Sequence, residues 1–304
     1  MATSVTDGLH GGLLGTALGD AVGAPFEGRA RVSEDEITAW LDADRPLRWT
    51  DDTHMALALA RTLRDQGDAL DPERLGDAFA AAYAAEPWRG YGAGPPQVFA
   101  LARRGWSYVE AAASLFGGSG SFGNGAAMRV APVALATGAD PTRAAELATV
   151  QARVTHTHPE AVDGAVLIAT AVCALAASAT DQASALRALT DAADGLPGRT
   201  IGTSVRRVLE AEQADVEAVA RRIGTGVAAR ESVPAAVAAV LAGHDLVSTL
   251  MAAVRLGGDT DTIAAMAGAM AGARYGASTI PEELLTRLEA REQLADLART
   301  LTAG

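Results

Sequence analysis

Glycine recurs at every fourth position near the start of the chain, at Gly11, Gly15, Gly19 and Gly23. Residues four apart lie along one ridge of an α-helix, and each glycine in a helix interior costs roughly 1 kcal/mol relative to alanine. A second helix that approaches the bare ridge closely would offset this cost. Residues 263–276 are also rich in alanine and glycine, which is typical of a tightly packed central helix.

The rest of the chain carries helical rather than strand patterning. Apolar residues recur with a 3.6-residue period in residues 205–222 and 281–301, and aromatic residues make up only 4%. Several prolines stand where helices could begin, namely Pro72, Pro141, Pro159, Pro234 and Pro281. We find no solenoid repeat and no low-complexity linker. We therefore predict an all-α fold in one domain, residues 1–304, with residues 1–7 and 302–304 as loose ends.

Composition excludes several function classes. The chain has 37 acidic and 25 basic residues, so its net charge is −12, and every basic residue is arginine. Without lysine there is no Schiff-base chemistry and no Walker-loop lysine. A single cysteine, Cys173, excludes internal disulfides and cysteine-rich zinc sites. The negative charge argues against general nucleic-acid binding, and the arginine-rich, lysine-free composition suggests a GC-rich bacterial gene.

The sequence predicts no membrane association. The longest apolar run, residues 164–179, is shorter than the roughly 20 apolar residues of a spanning helix and contains Thr170 and Ser178. We predict that it forms a buried core helix. Because the first ten residues do not resemble an export signal, we expect a cytoplasmic protein, and we expect a monomer.

Two acidic clusters stand directly before apolar helical runs. In the first, Asp51 and Asp52 follow Thr50. One of these residues could simply cap the helix, but a cap needs only one side chain and adjacent carboxylates repel each other. The second cluster, GGDTDT, contains Asp259, Asp261 and Thr262.

Together the clusters predict one carboxylate-lined site. Four clustered carboxylates without counter-charges would be costly, and divalent cations would remove that cost. Oxygen-only ligands suit Mg²⁺ or Mn²⁺ rather than structural zinc. Glu27 follows the glycine ridge in the segment GDAVGAPFEG. It is either an exposed loop residue or a mobile carboxylate that reaches the site.

A glycine-rich segment, FGGSGSFGNG in residues 116–125, could bind a phosphate through backbone N–H groups. It is neither a Walker loop nor a dinucleotide fingerprint, because the required endings and spacing are absent. A flexible surface loop is the alternative. Ser121 and Asn124 could add hydrogen bonds, and Phe116 or Phe122 could stack on a base.

Two histidines lie in the segment VTHTHPEAVDG, at His156 and His158. Their spacing does not place both on one helical face, so a metal-binding pair is not expected. Pro159 indicates a helix start that Thr157 or His158 would cap. From the residues alone we expect a structural or surface role.

These segments, in this order, resemble the ADP-ribosylglycohydrolase family. The matching stretches are LLGTALGDAVGAPFE, WTDDTHMALALA, RGYGAG, GSFGNGAAMRVAP, VTHTHPEAVDGA and GGDTDTIAAMAGAMAGARYG, which extend from residue 13 to residue 276. The chain is most similar to the branch that cleaves O-linked ADP-ribose on serine, poly-ADP-ribose and O-acetyl-ADP-ribose. The resemblance implies a compact all-α, single-domain helical bundle with two Mg²⁺ in a central cleft, where Mn²⁺ could substitute.

The resemblance also implies roles for individual residues. The metal ligands would be Thr50, Asp51, Asp52, Asp259, Asp261 and Thr262. The catalytic carboxylates would be Asp259 and Glu27, the latter on a mobile flap. The ligand-binding residues would be Gly90, Gly92, Phe116, Gly120, Ser121, Phe122, Gly123, Asn124 and His156. Gly120, Ser121, Gly123 and Asn124 would bind the diphosphate, and Phe116 and His156 would lie near the adenosine.

Two positions depart from the family patterns. Phe122 stands where this branch usually has tyrosine, so a hydroxyl contact is missing. Gly94-Pro95-Pro96 stands where arginine-specific relatives often have Gly-Pro-Asp, which weakens the case for an arginine-linked substrate.

The resulting hypothesis is hydrolysis at C1″ of the distal ribose in ADP-ribosylated proteins or small molecules. Two Mg²⁺ would hold the 2″ and 3″ hydroxyls while a water attacks. Asp259 or Glu27 could deprotonate that water, and the sequence does not decide between them. The alternatives are hydrolysis of N-linked ADP-ribosyl-arginine, ADP-ribose binding without catalysis, and pyrophosphatase activity on the diphosphate.

Overall fold

The computed structural model describes residues 4–67, 69–178, 180–211 and 216–302, and helices dominate this part of the chain. The helices are α1 (Val5–Gly23), α2 (Glu34–Asp42), α3 (Asp51–Gln66), α4 (Pro72–Ala85), α5 (Gly94–Ala102), α6 (Tyr108–Gly118), α7 (Gly125–Met128), α8 (Ala131–Ala136), α9 (Pro141–Arg153), α10 (Pro159–Ala176), α11 (Gln182–Asp194), α12 (Arg199–Leu209), α13 (Val216–Ile223), α14 (Ala229–Ala242), α15 (Leu246–Leu256), α16 (Thr260–Tyr275), α17 (Glu282–Arg287) and α18 (Arg291–Thr302). Among the described residues, isolated β-bridges are the only β-structure. The predicted all-α fold is confirmed.

Helix α1 packs antiparallel against α16 through the glycine ridge. A Cβ atom added to Gly15 would lie 2.8 Å from the carbonyl carbon of Gly268, and one added to Gly19 would lie 2.8 Å from the nitrogen of Ala265. Atoms at these distances overlap, so only glycine fits. The predicted close helix contact and the central position of residues 263–276 are therefore confirmed. The antiparallel arrangement brings the end of α1 beside the start of α16.

Helix α10 is the apolar helix that was predicted to lie in the core. Among the described residues it alone is long and apolar enough to cross a membrane, and 72% of it is buried inside the protein. It packs against α9 and α16. The prediction of a core helix is confirmed. The predicted run ended at residue 179, which lies outside the described residues, and the helix ends at Ala176.

Two predicted helices are each divided in the structure. Residues 205–222 are not one helix, because α12 ends at Leu209 and α13 begins at Val216. Residues 212–215, between them, lie outside the described residues. Residues 281–301 contain α17 and α18, and Pro281 precedes α17 as its N-cap residue instead of entering the first turn. An apolar period alone cannot reveal such interruptions.

Two smaller predictions were wrong. Pro234 lies inside α14 and not at its start; the helix is buried on most sides, and this packing overrides the preference of proline for a first turn. Residues 5–7 are not a loose end, because α1 begins at Val5 and the Asp7 carboxylate accepts hydrogen bonds from Ser278, at 2.7 Å from its hydroxyl. Residues 1–3 and 303–304 lie outside the described residues.

Candidate active site

The first acidic cluster lies at the start of α3, where Thr50 is the capping residue. The Thr50 hydroxyl accepts a hydrogen bond from the Asp52 N–H at 3.5 Å. Asp51 and Asp52 occupy the first helical turn, and both are buried. The capping interpretation is therefore confirmed for Thr50, and it requires neither aspartate. Both aspartates are available for another role.

A further aspartate, Asp20 near the end of α1, holds this cluster in place. Its carboxylate accepts hydrogen bonds from the Thr50 N–H at 2.9 Å, the Thr53 N–H at 2.9 Å and the Thr53 hydroxyl at 2.6 Å. Asp20 is fully buried, and this burial raises its pKa to about 6. Asp20 is not among the site residues that the sequence predicts. The available signal was a single charged residue within the apolar and glycine-rich residues 11–23, since a buried carboxylate needs polar partners.

The second acidic cluster lies at the start of α16, after a turn formed by Gly257 and Gly258. Their φ angles of +74° and +80° belong to the left-handed region that favours glycine. The Asp259 N–H donates to the Thr225 carbonyl at 2.8 Å. The Asp259 carboxylate accepts a hydrogen bond from the side-chain amide of Asn124 at 2.6 Å. Backbone and side-chain contacts therefore both orient Asp259.

Glu27 reaches the second cluster from the loop after α1. One carboxylate oxygen from each of Glu27, Asp259 and Asp261 lies within 4.8 Å of the others, so the three groups could hold a metal ion together. The Gly28 N–H donates to the Gly258 carbonyl at 2.8 Å, which joins this loop to the glycine turn. Partial burial, followed by the charge of Asp259, raises the pKa of Glu27. Its movement as a flap stays a prediction.

Both clusters line one cavity of about 360 Å³. Burial is the main cause that raises the pKa of Asp51 to about 7, of Asp261 to about 9, and of Asp52 well above its usual range, and neighbouring carboxylates add to the effect. Within the described residues, Oδ2 of Asp52 and Oδ1 of Asp261 are buried without a hydrogen-bond partner. Buried oxygens without donors and crowded negative charge fit a divalent cation. Thr262 also lines the cavity, whereas Thr50 does not.

The raised pKa values predict how pH affects the metal-free protein. An aspartate ionises near pH 3.8 in the unfolded chain, but Asp51 and Asp261 resist ionisation in the folded site. Below pH 3.8 these carboxyl groups are protonated in both the folded and the unfolded protein, so their burial does not yet lower the free energy of unfolding. As pH rises, the unfolded chain releases protons first, and the free energy of unfolding falls until the folded groups have ionised at about 7 and about 9.

Thermal unfolding in EDTA at pH 5 and pH 8.5 measures this effect. We expect a lower midpoint at pH 8.5, a partial recovery on adding Mg²⁺, and a smaller pH dependence in the variant Asp51→Asn. An equal midpoint at both pH values in the wild-type protein would contradict the raised pKa values.

The predicted ligand-binding residues are largely brought together at the same cavity. Those that line it are Gly90, Gly92, Phe116, Ser121, Gly123, Asn124 and His156. Gly120 and Phe122 are not part of the wall. A Cβ on Gly120 would lie 2.9 Å from the His158 nitrogen, and the Phe122 ring packs 6.0 Å from each of the Phe116 and His158 rings. Their predicted contacts with a ligand stay predictions.

The glycine-rich loop is held by its own hydrogen bonds and by a neighbouring segment. The Gly123 N–H donates to the Ser121 hydroxyl at 3.2 Å. The Asn124 N–H donates to the Val227 carbonyl at 2.9 Å, and the Ala229 N–H donates to the Phe122 carbonyl at 3.0 Å. This loop is therefore fixed rather than free on the surface, and the backbone N–H groups of Ser119, Gly120, Gly123 and Asn124 are already engaged. Val227, which the sequence analysis missed, is exposed and lines the cavity.

A buried arginine, Arg129, also lines the cavity and was missed. Its guanidinium donates to the Gln151 side chain at 2.9 Å and to the Thr155 hydroxyl at 2.9 Å. Burial, followed by the charge of Arg129, lowers the pKa of His156 to about 3, so this ring is neutral near pH 7. His158 caps α10 and accepts from the Glu160 N–H, as one of the two predicted caps. An arginine within the apolar stretch AAMRVAP was the signal for Arg129.

Comparison with known proteins shows that the family model for ADP-ribosylglycohydrolase matches residues 1–304. The chain belongs to the ADP-ribosylglycohydrolase family. ADP-ribosylhydrolase ARH3 from Bos taurus and ARH3 from Homo sapiens are each 34% identical to it, and each alignment covers 96% of this chain and 91% or 92% of the relative. A solved structure described as an ADP-ribosylglycohydrolase-related protein complex has a TM-score of 0.75 and 28% identity, and covers 99% of this chain and 98% of its own.

Membership in the ADP-ribosylglycohydrolase family makes the chain a hydrolase that acts on ADP-ribose conjugates. The predicted family and fold type are confirmed, and the similarity to ADP-ribosylhydrolase ARH3 supports the branch that the sequence favoured. The carboxylates of Glu27, Asp259 and Asp261 in the acidic cavity could hold a metal ion, since Mg²⁺ prefers oxygen ligands. The identity and number of metal ions, and the role of each residue, stay predictions.

Proposed function

We propose that the chain hydrolyses the C1″ bond of O-linked ADP-ribose conjugates, such as ADP-ribosylserine, O-acetyl-ADP-ribose and poly-ADP-ribose, with two Mg²⁺ as cofactors. The observation that carries the proposal is one cavity lined by both acidic clusters and by the glycine-rich loop. The acidic clusters suit cations and ribose hydroxyls, whereas the loop suits the diphosphate. The similarity to ADP-ribosylhydrolase ARH3 over nearly the whole chain supports the O-linked preference.

The carboxylates of Asp51, Asp52, Asp259 and Asp261 would hold the metal ions, with the hydroxyls of Thr50 and Thr262. The bound cations would supply the positive charge that orients the ribose hydroxyls and stabilises an oxocarbenium-like state. Asn124 orients Asp259 through its 2.6 Å hydrogen bond. This contact makes the Asn124 side chain a positioning group for a metal ligand, in addition to any contact with the diphosphate.

Glu27 is the stronger candidate for the general base. Asp259 already accepts the Asn124 amide and interacts with Asp261. No hydrogen bond to the Glu27 carboxylate is found among the described residues, and its raised pKa brings it closer to the working pH, which favours a base. Asp259 would then serve mainly as a ligand.

A panel of defined conjugates tests the proposal. ADP-ribosylserine peptide, ADP-ribosylarginine peptide and O-acetyl-ADP-ribose are incubated with the protein in Mg²⁺ or in EDTA, and the products are separated by chromatography. We expect free ADP-ribose from the serine peptide and from O-acetyl-ADP-ribose, at least about tenfold faster than from the arginine peptide, and loss of activity in EDTA.

Other outcomes of this panel identify the alternatives. Faster cleavage of the arginine peptide would indicate an N-linked substrate, and release of AMP would indicate a pyrophosphatase. Tight ADP-ribose binding without any product would indicate a binding module. A monomeric state and a cytoplasmic location stay predictions that this panel does not address.

A further inference from the structure

The segment from Trp49 to Asp51, which carries two predicted metal ligands, is fixed on one side by Arg89. The Asp51 N–H donates to the Arg89 carbonyl at 2.8 Å. The Arg89 guanidinium donates to the Trp49 carbonyl at 2.9 Å and lies over the Trp49 ring, 3.9 Å from its centroid. Main chain and side chain of one arginine therefore hold the residues on both sides of Thr50.

Arg89 is itself held by an acid from the far end of the chain. Two guanidinium nitrogens donate to the two carboxylate oxygens of Glu289, at 3.0 Å and 2.7 Å. A third donates to Glu86 at 2.6 Å. The Arg89 side chain is only 13% exposed and that of Glu289 30%, so solvent screens this pair less than an exposed one. The bidentate geometry fixes the plane of the guanidinium as well as its position.

Glu289 has its own backbone contacts with the same segment. Its N–H donates to the Leu47 carbonyl at 3.0 Å, and its carbonyl accepts from the Trp49 indole N–H at 3.0 Å. The residues around Glu289 thus form a short clamp along residues 47–49. Because side-chain and backbone contacts converge on the same segment, a shift of Glu289 would be transmitted to the start of α3.

The pair lies outside the cavity and acts through its neighbours. Neither Arg89 nor Glu289 is among the residues that line the cavity. Gly90, which follows Arg89, does line it, and a Cβ on Gly90 would lie 3.4 Å from a carboxylate oxygen of Asp51. The orientation of Arg89 therefore fixes the position of the Asp51 backbone and of Gly90 in the adjacent cavity wall.

We propose that Arg89 and Glu289 form a positioning pair that sets the affinity of the Asp51 side of the site for Mg²⁺. This inference rests on the proposed function, because it assumes that Asp51 binds the metal. Groups that orient metal ligands typically change metal affinity by about 10-fold to 100-fold when they are removed. Neither residue touches the substrate in this proposal.

Two variants test the pair without removing bulk. Glu289→Gln keeps the shape but removes the charge, and Arg89→Lys keeps the charge but loses the planar fork. The matched control is Glu282→Gln, which breaks the bidentate Arg291–Glu282 pair, at 2.6 Å and 3.1 Å, in the same C-terminal region. Among the described residues, neither side chain of that pair makes a hydrogen bond or ion pair with residues 47–51.

Calorimetric titration of the substrate-free, full-length protein with Mg²⁺ gives the decisive readout. We expect Glu289→Gln and Arg89→Lys each to weaken Mg²⁺ binding by about 10-fold to 100-fold, and Glu282→Gln to leave it unchanged. The double variant should lose less Mg²⁺-binding free energy than the two single variants lose together, because the two residues act as one unit. Thermal unfolding in EDTA measures any general loss of stability separately.

The outcomes separate this inference from the proposed function. If the wild-type protein binds Mg²⁺ and Asp51→Asn abolishes binding, but Glu289→Gln binds as tightly as wild type, the positioning role is wrong and the pair is only structural. If Arg89→Lys does not fold, Glu289→Gln still decides the question. If Asp51→Asn leaves Mg²⁺ binding unchanged, the proposed metal site itself is wrong, and with it the basis of this inference.

Discussion

Replacing Asp259 by asparagine is expected to slow release of ADP-ribose from O-acetyl-ADP-ribose by about 10³-fold or more. A metal-assisted site supplies several kcal/mol of stabilisation to the transition state, and each 1.36 kcal/mol corresponds to a factor of ten in rate. Oxygens of Asp259, Glu27 and Asp261 all lie within 4.8 Å of one another, so the change removes one of three negative charges that could bind a cation together. Asparagine keeps the shape but not the negative charge.

The fold should survive this change, which distinguishes a catalytic loss from unfolding. The start of α16 does not depend on a side-chain cap from Asp259, so the helical circular dichroism spectrum should match that of wild type. A matched control is Asp71→Asn, at the exposed start of α4, where asparagine caps about as well as aspartate. That control should keep full activity. Near-normal turnover by Asp259→Asn in Mg²⁺ would refute the assignment.

Replacing Gly19 by alanine is expected to lower the free energy of unfolding by about 3 kcal/mol, the upper end of the usual cost of overpacking. The added Cβ would overlap the backbone of Ala264 and lie 2.8 Å from the Ala265 nitrogen. Backbone atoms cannot move aside as a flexible side chain can, so α1 and α16 would have to separate. Urea denaturation followed by circular dichroism measures the loss.

Gly12→Ala is the matched control in the same helix. Its Cβ would meet the Ala269 carbonyl oxygen and a Val172 methyl group at 3.4 Å, which is ordinary van der Waals contact. Alanine also favours the helix by up to about 1 kcal/mol relative to glycine, so stability should be unchanged or higher. Similar losses in Gly12→Ala and Gly19→Ala would show that helix contact does not explain the glycine ridge.

The same separation of α1 and α16 should affect the candidate site. Asp20 lies one residue beyond Gly19 and accepts the hydrogen bonds that hold Thr50 and Thr53. The antiparallel helix also carries Asp259 and Asp261 at its start. The glycine ridge therefore places the two acidic clusters relative to each other, in addition to packing the core.

The amino-acid sequence determined those features that depend on local pattern. In a helix, glycines four residues apart lie along one ridge, so the repeat indicated the close contact of α1 before any partner was known. The sequence marked both halves of the acidic site, namely the adjacent Asp51 and Asp52 and the GGDTDT turn. A helix start needs only one side chain as its cap, so the additional carboxylates indicated another role. Helix ends were harder to predict, as α12 and α13 show, because the apolar period continues from one helix into the next.

Only the tertiary structure decided which distant residues support the site. Asp20 contacts residues 50 and 53, Asn124 contacts Asp259, and Glu289 contacts Arg89, and each contact joins residues that are remote in sequence. Their side chains are common polar types without a local pattern, so nothing near them in the sequence predicts the partner. The physical reason is that a buried or half-buried charge is stable only where the fold supplies its counterpart, and that counterpart is set by helix packing rather than by neighbouring residues.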